Sequence, residues 1–313
     1  LKNCNTQTTL EFHPEVGASG KKDAIDFEFY FEGVKKDAFK PKIETFFKRV
    51  LPYCSFLKDY RFIIHSKNSF PHSSGIASSA SGMSALALCV MSMEKQHNPG
   101  MSEEYFRKKA SFLARLGSGS ACRSIEGPLV EWGYHEEIEG SSDLFGISYP
   151  YAIHKNFEDY QDTILIVEKG QKKVSSSLGH NLMTDHPFAK SRFEQAHKNL
   201  ARLNSVLKNG VLEEFIEIVE TEALSLHAMM MSSKPNFLLM KPNTLEIINR
   251  IRDFREQTQM PVCFTLDAGA NVHMLYPKKY TEGVNEFIEK ELVKYCESEQ
   301  YICDTVGNGG IQS

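Results

Sequence analysis

A chain of 313 residues with 41% hydrophobic and 24% charged residues has the composition of a soluble globular protein and room for two domains of ordinary size. With 36 Lys and Arg against 40 Asp and Glu, the net charge of −4 gives no general electrostatic grip on nucleic acid. The 7 cysteines (Cys4, Cys54, Cys89, Cys122, Cys263, Cys296, Cys303) are scattered and contain no C-x-x-C pair, which excludes a disulfide framework or zinc site and fits a reducing cytoplasm.

Strand-period alternation marks 6–12 and 24–31, and the turn-rich stretch between them reads as a hairpin connection. Helical spacing follows over 39–51, a strand over 61–66, and a helix from about Ser78 to Glu94. Ser102 heads the next helix, with Glu104 near its first turn and Arg115 near its end, both favourable for the helix dipole. A short strand over 128–132 precedes a polar, glycine-containing stretch over 136–149 that marks a boundary. Beyond it, the pattern predicts a strand over 163–168, helices near 187–207, 212–230 and 244–257, strands over 262–266 and 272–275, a helix over 280–299 and a closing strand at 301–306. Strands and helices mix without regular βαβ alternation, so the fold class is α+β, with domains over 1–155 and 156–313. No apolar run approaches membrane-spanning length, and no signal-peptide pattern opens the chain.

Three motifs carry chemistry. In FPHSSGIASSASG, Gly75, Ile76, Ala77, Ser78 and Ser79 lead from a small-residue loop into an apolar helix. Such a junction turns unpaired N–H groups and the positive end of a helix dipole towards one spot, where a polyphosphate is the expected guest; a plain serine cap is the competing explanation. In LGSGSACRSIEG, Ser118, Gly119 and Ser120 stand close to Arg123, combining close backbone approach, hydroxyl donors and a bidentate fork for a phosphate or carboxylate. A glycine cap and loop would explain the same run structurally. In FTLDAGANV, a strand delivers Asp267 into an Ala-Gly-Ala turn, a placement suited to a catalytic carboxylate or to simple turn capping. The 11 histidines show no ligand spacing, and His65, His72, His180 and His273 read as structural or solvated.

Together these motifs resemble the diphosphomevalonate decarboxylases of the GHMP kinase superfamily. Pro71 through Ala80 is similar to that family's phosphate loop, Gly117 to Ser124 to its G-S-G-S-A-C-R-S signature, and Asp267-Ala268-Gly269 with Asn271 to its D-A-G-x-N element. The closing V-G-N-G-G is similar as well, so the likeness covers nearly the whole chain. It implies a GHMP kinase fold, with a ribosomal-protein-like N-terminal domain, a ferredoxin-like C-terminal domain and a final strand that could return to the first. It implies ATP-dependent decarboxylation of mevalonate 5-diphosphate to isopentenyl diphosphate, with a kinase acting on mevalonate or phosphomevalonate without decarboxylation as the alternative.

On the same footing, Gly75 to Ser79 would cradle the ATP phosphates, with Ser78 or Ser79 near Mg²⁺. Ser118, Gly119, Ser120 and Ser176 would hold the substrate's phosphates, Arg123 its carboxylate region, and Asp267 its tertiary hydroxyl. Ser177 stands where some relatives carry a phosphate-binding Arg, and nothing matches the family's N-terminal K-Y-W-G-K element, so residues upstream of Leu1 are expected. A catalytically silent binding module on the same fold is the reading that this missing element keeps open. The resemblance also implies a cytoplasmic homodimer that binds neither membrane nor nucleic acid.

Overall fold

The computed structural model describes residues 1–14, 25–71, 76–170 and 182–312. The chain forms two compact units. One comprises Cys4–Phe70, Ser78–Pro150 and Gly307–Ser313; the other comprises Leu1–Asn3, Pro71–Ala77 and Tyr151–Val306.

In the first unit, strands β1 (Thr6–Pro14), β2 (Phe27–Phe31), β3 (Val34–Lys35) and β4 (Tyr60–Asn68) form a sheet in the order β1-β4-β2-β3. The expected hairpin between the first two strands does not exist. Strand β4 lies between them, antiparallel to β1 (Thr6 opposite Asn68) and parallel to β2 (Phe27 opposite Phe62). Burial decides this order: Phe62 and Ile64 of β4 are wholly buried, whereas β1 alternates half-buried and exposed residues and suits an edge.

Helix α1 (Lys40–Val50) buries Ile43, Phe46, Phe47 and Val50, the i, i+3, i+4, i+7 stripe of an amphipathic helix. Phe47 stacks on Phe62 with ring centroids 5.6 Å apart. Helix α2 (Ser78–His97) is apolar nearly all round, as a helix covered on every side must be. Helix α3 (Glu103–Gly117) starts at Ser102, whose hydroxyl accepts the Tyr105 N–H at 3.2 Å. A 3-10 helix (Gly119–Ser124) stands where the sequence suggests a loop, and β5 (Val130–Trp132) pairs with β6 (Gly146–Ser148).

The second unit holds β7 (Tyr160–Leu165), α4 (Ala189–Asn209), α5 (Leu212–Ser232), α6 (Pro242–Thr258), β8 (Cys263–Leu266), β9 (Val272–Pro277), α7 (Thr281–Phe287) and β10 (Tyr301–Thr305). Its sheet runs β10-β7-β9-β8 with every neighbour antiparallel, which is the ferredoxin-like arrangement. Strand β7 begins at Tyr160 and ends at Leu165, three residues earlier than the apolar run suggests, because its partner β9 spans Val272–Pro277 and pairs Pro277 with Tyr160 and Val272 with Leu165. The helix expected over 280–299 is α-helical to Phe287 and stays helical to Tyr295, first wider over Ile288–Leu292 and then tighter over Val293–Tyr295. Beyond it, Ser298 takes a left-handed φ of 52° that no continuous helix tolerates. Strand β10 stays in this sheet, and the residues after Val306 belong to the first unit.

All 7 cysteines are free thiols. Burial pushes Cys54 up to about 12 and Cys89 and Cys296 up to about 11, which leaves them packing residues rather than nucleophiles.

Glu131 of β5 is 6% exposed, and its Oε1 is buried without a hydrogen-bond partner among the described residues. Burial raises its carboxyl pKa above the ordinary value, against a smaller opposing pull from His135. An acid with a raised folded-state pKa destabilises the fold where it is ionised, and the cost disappears as pH falls below the unfolded-state value. Glu131→Gln should therefore raise the melting temperature at pH 8, and the gain over the parent protein should vanish by about pH 4 in thermal scans across that range.

Candidate functional site

The first unit brings two of the sequence motifs into contact. Ser78 and Ser79 open helix α2, both half-buried, and Ala77 just before them takes a left-handed φ of 46°. Ser118 ends α3 in an extended conformation, and its hydroxyl lies 3.4 Å from that of Ser79. Lys42 of α1 joins them: its Nζ donates a short hydrogen bond to Ser79 Oγ. Burial alone pulls the Lys42 pKa below its usual value, and among the described residues no carboxylate pairs with it. A partly desolvated ammonium with no carboxylate partner among the described residues, bonded to a hydroxyl at the N-terminal end of a 20-residue helix, suits an anion.

The 3-10 helix that follows Ser118 is held from beneath. The Ala121 N–H donates to Ser118 O at 2.8 Å, and the Cys122 thiol donates to Gly119 O at 3.3 Å. Ser111, wholly buried in α3, donates to Cys122 O at 3.1 Å and accepts the Gly146 N–H at 2.9 Å. Gly117 lets α3 reach this point, since a Cβ there would lie 2.7 Å from Met83 Sδ and 2.9 Å from Phe46. Arg123 is exposed, with its guanidinium carbon 6.0 Å from the centre of the Trp132 ring. Trp132 also covers Gly119, where a Cβ would meet the indole at 3.5 Å. Ser120 is half-buried in the same short helix.

The chain's last residues complete this support. The Gly310 N–H donates to Ser124 O at 3.1 Å, Arg107 donates to Ile125 O at 2.9 Å, and a Cβ on Gly309 would lie 2.4 Å from Ile125 O. The V-G-N-G-G run is therefore a backbone-to-backbone clamp on the segment behind Arg123.

In the second unit, Asp267 leaves β8 half-buried and opens the turn to β9. Its carbonyl accepts the Gly269 N–H at 2.7 Å. Thr244 Oγ1 donates to Ala270 O at 2.6 Å, and the Asn271 side chain both accepts the Glu168 N–H at 2.9 Å and donates to Glu168 O at 3.1 Å. Gly269 faces open space, since a Cβ there would meet nothing within 4 Å. The expected structural role of His273 matches its place: buried, with Nδ1 2.9 Å from Asp162. Gly75, His72, His180, Ser176 and Ser177 lie outside the described residues, while Ile76 is buried and Ala77 exposed.

Sequence reasoning did not find Lys42. It sits 37 residues before Ser79, beside the core stripe of α1, with no motif around it, and only the folded chain gives it an anion site.

The donors fit the groups that the resemblance implies. Hydroxyls are hard oxygen ligands of the kind Mg²⁺ accepts beside phosphate, α2 has no acidic residue in its first turn to repel an anion, and Lys42 lacks the counter-charge a phosphate would supply.

Comparison with known proteins gives the class. A profile described as the diphosphomevalonate decarboxylase-like N-terminal domain matches residues 1–143, and one described as the mevalonate 5-diphosphate decarboxylase C-terminal domain matches residues 163–308. The chain belongs to the diphosphomevalonate decarboxylase family. It is 26% identical over 286 residues to the phosphomevalonate decarboxylase of Haloferax volcanii, covering 91% of this chain and 80% of that one. It is 30% identical over 224 residues to the diphosphomevalonate decarboxylase of Aspergillus fumigatus, covering 71% of this chain and 53% of that one. A solved structure of MDDEF in complex with MVAPP, AMPPCP and magnesium superposes with a TM-score of 0.80 at 26% identity, covering 98% of this chain and 87% of that one.

Two substitutions test the first unit. Lys42→Met should raise the KM of an anionic substrate about tenfold to a hundredfold, the worth of one charge-assisted hydrogen bond, with the melting temperature held or raised because a desolvated charge is removed. Gly309→Ala should destabilise the fold by about 1–3 kcal/mol in denaturant titrations, since its methyl overlaps backbone that has little freedom to retreat.

Proposed function

We propose that this chain carries out the ATP-dependent decarboxylation of mevalonate 5-diphosphate to isopentenyl diphosphate. The observation that carries the reading is the Lys42 ammonium, partly withdrawn from water and bonded to the Ser79 hydroxyl that in turn lies 3.4 Å from that of Ser118, in a chain of this family. MgATP, as co-substrate, supplies the phosphoryl group that makes the tertiary hydroxyl able to leave.

The chain's own residues then have separate tasks. Backbone N–H groups over Gly75 to Ser79 receive the nucleotide phosphates, with Ser78 or Ser79 turned towards the metal they bring. Lys42, Ser118, Gly119, Ser120 and Ser176 take the substrate's phosphates, and Arg123 takes its carboxylate. Asp267 accepts a hydrogen bond from the tertiary hydroxyl and orients it for attack, drawing off its proton. After phosphorylation, loss of phosphate and CO₂ needs a held carboxylate and a stabilised cation-like centre rather than another acid or base. The reading also includes a cytoplasmic homodimer: free thiols suit a reducing compartment, and sedimentation of the purified protein tests the dimer.

A second reading concerns the substrate's phosphates, because the Haloferax volcanii relative is named for the monophosphate. The full gene product should release CO₂ from mevalonate 5-diphosphate in step with ADP formation, and more slowly from the monophosphate. A faster rate with the monophosphate would move the assignment to it, and ADP formation without CO₂ would make the protein a kinase. Asp267→Ala should lower kcat at least a thousandfold, on the order of the loss of a positioned general base, while nucleotide binding by calorimetry is retained. Full turnover by that variant would remove Asp267 from the chemistry.

A further inference from the structure

His227 lies in α5, is 1% exposed, and places its Nε2 3.2 Å from the carbonyl oxygen of Asp267. A carbonyl can only accept, so Nε2 carries the proton and donates it. Burial lowers the imidazole pKa and keeps the ring neutral. A neutral donor fixes the backbone of Asp267 without adding the positive charge that would make its carboxylate a weaker base.

The surrounding contacts show what this bond controls. The far end of the turn is tied by Thr244 to Ala270 O and by Asn271 to both backbone groups of Glu168. At the near end, the Asp267 carbonyl accepts the Gly269 N–H from within the turn and the His227 N–H from helix α5. An i-to-i+2 bond shapes a turn but does not anchor it to the rest of the unit. The carbonyl would also keep the Gly269 bond if the imidazole were removed, so that loss would not leave an orphaned buried acceptor.

We infer that His227 is a positioning residue: its Nε2–H ties the Asp267 carbonyl to helix α5 and so sets the direction in which the Asp267 carboxylate points. This inference rests on the reading that Asp267 acts on the substrate hydroxyl.

Steady-state kinetics on the full gene product test it with three variants. His227→Leu removes the donor, and kcat should fall about tenfold to a hundredfold, the effect of a misdirected catalytic group, with KM values for ATP and substrate within about twofold of the parent. His227→Gln places an N–H near the same point and should recover most of kcat. His227→Asn keeps an amide too short to reach the carbonyl and should behave as His227→Leu does. Parent-level kcat in His227→Leu overturns the inference. So does equal kcat in the Asn and Gln variants, which can be read even if His227→Leu does not fold. Asp267→Asn is measured in parallel: turnover there would overturn the role of Asp267, whereas an inactive Asp267→Asn beside a fully active His227→Leu would overturn the positioning role alone.

Discussion

Helix α2 buries Ala80, Met83, Leu86, Ala87, Leu88, Val90, Met91 and Met93, residues spread over more than half of its circumference. Such a helix cannot turn or slide without moving methylene groups out of closely packed surroundings, each worth about 0.8 kcal/mol. Its first turn is therefore a fixed point. Ser78 and Ser79 stand at that point, and the elements packed around α2 bring Lys42 and Ser118 to it. Met83, one turn into the helix, closes on Gly117 at the end of α3, which ties the start of the second motif to the start of the first. The two motifs are separated in sequence and joined by packing.

Electrostatics then give this point its preference. Lys42 is partly withdrawn from water, and its partner is a neutral hydroxyl. Arg123 stands nearby in sequence to Ser118 and rests against an indole rather than a carboxylate. Other buried or half-buried cations are paired, as Arg255 is with the buried Glu220 at 2.6 Å and Lys109 with Glu94 at 2.6 Å. A cation such as Lys42, with no carboxylate partner among the described residues and placed beside a helix N-terminus, is unfavourable in the empty protein and becomes favourable when a phosphate arrives.

The second unit holds the Asp267 carboxylate by different means. Asp267 follows a buried antiparallel strand, and the turn it opens is fixed by side chains from α5, α6 and the turn itself. Gly269 in that turn is not required by local packing, since an added methyl would meet nothing within 4 Å. What the turn leaves open is space, and what it holds fixed is direction.

Much of this was legible along the chain. The α1 stripe of Ile43, Phe46, Phe47 and Val50, the Ser102 cap and the start of α2 follow from periodicity and capping chemistry, which are local. Ser78, Ser79, Ser118, Arg123 and Asp267 stand out along the chain because small residues next to a donor or a carboxylate are a local signal too. The pairing of β4 between β1 and β2 was not legible, because strand order depends on which strand carries the most buried residues, Phe62 and Ile64, and not on which strands are consecutive. Nor was the change from α to wider and then tighter turns after Phe287, or the left-handed Ser298 that ends the helical run, since neither leaves a mark on the periodicity. Lys42 and His227 have no motif around them, and the V-G-N-G-G run shows its likeness but not what it clamps; each acts on a residue 37 or more positions away. The sequence by itself determined the elements and the types of chemical group at the site, because propensity, periodicity and capping act over a few residues. Only the tertiary structure decided which charge lacks a partner and which backbone is held, because desolvation and close approach depend on neighbours brought together by folding.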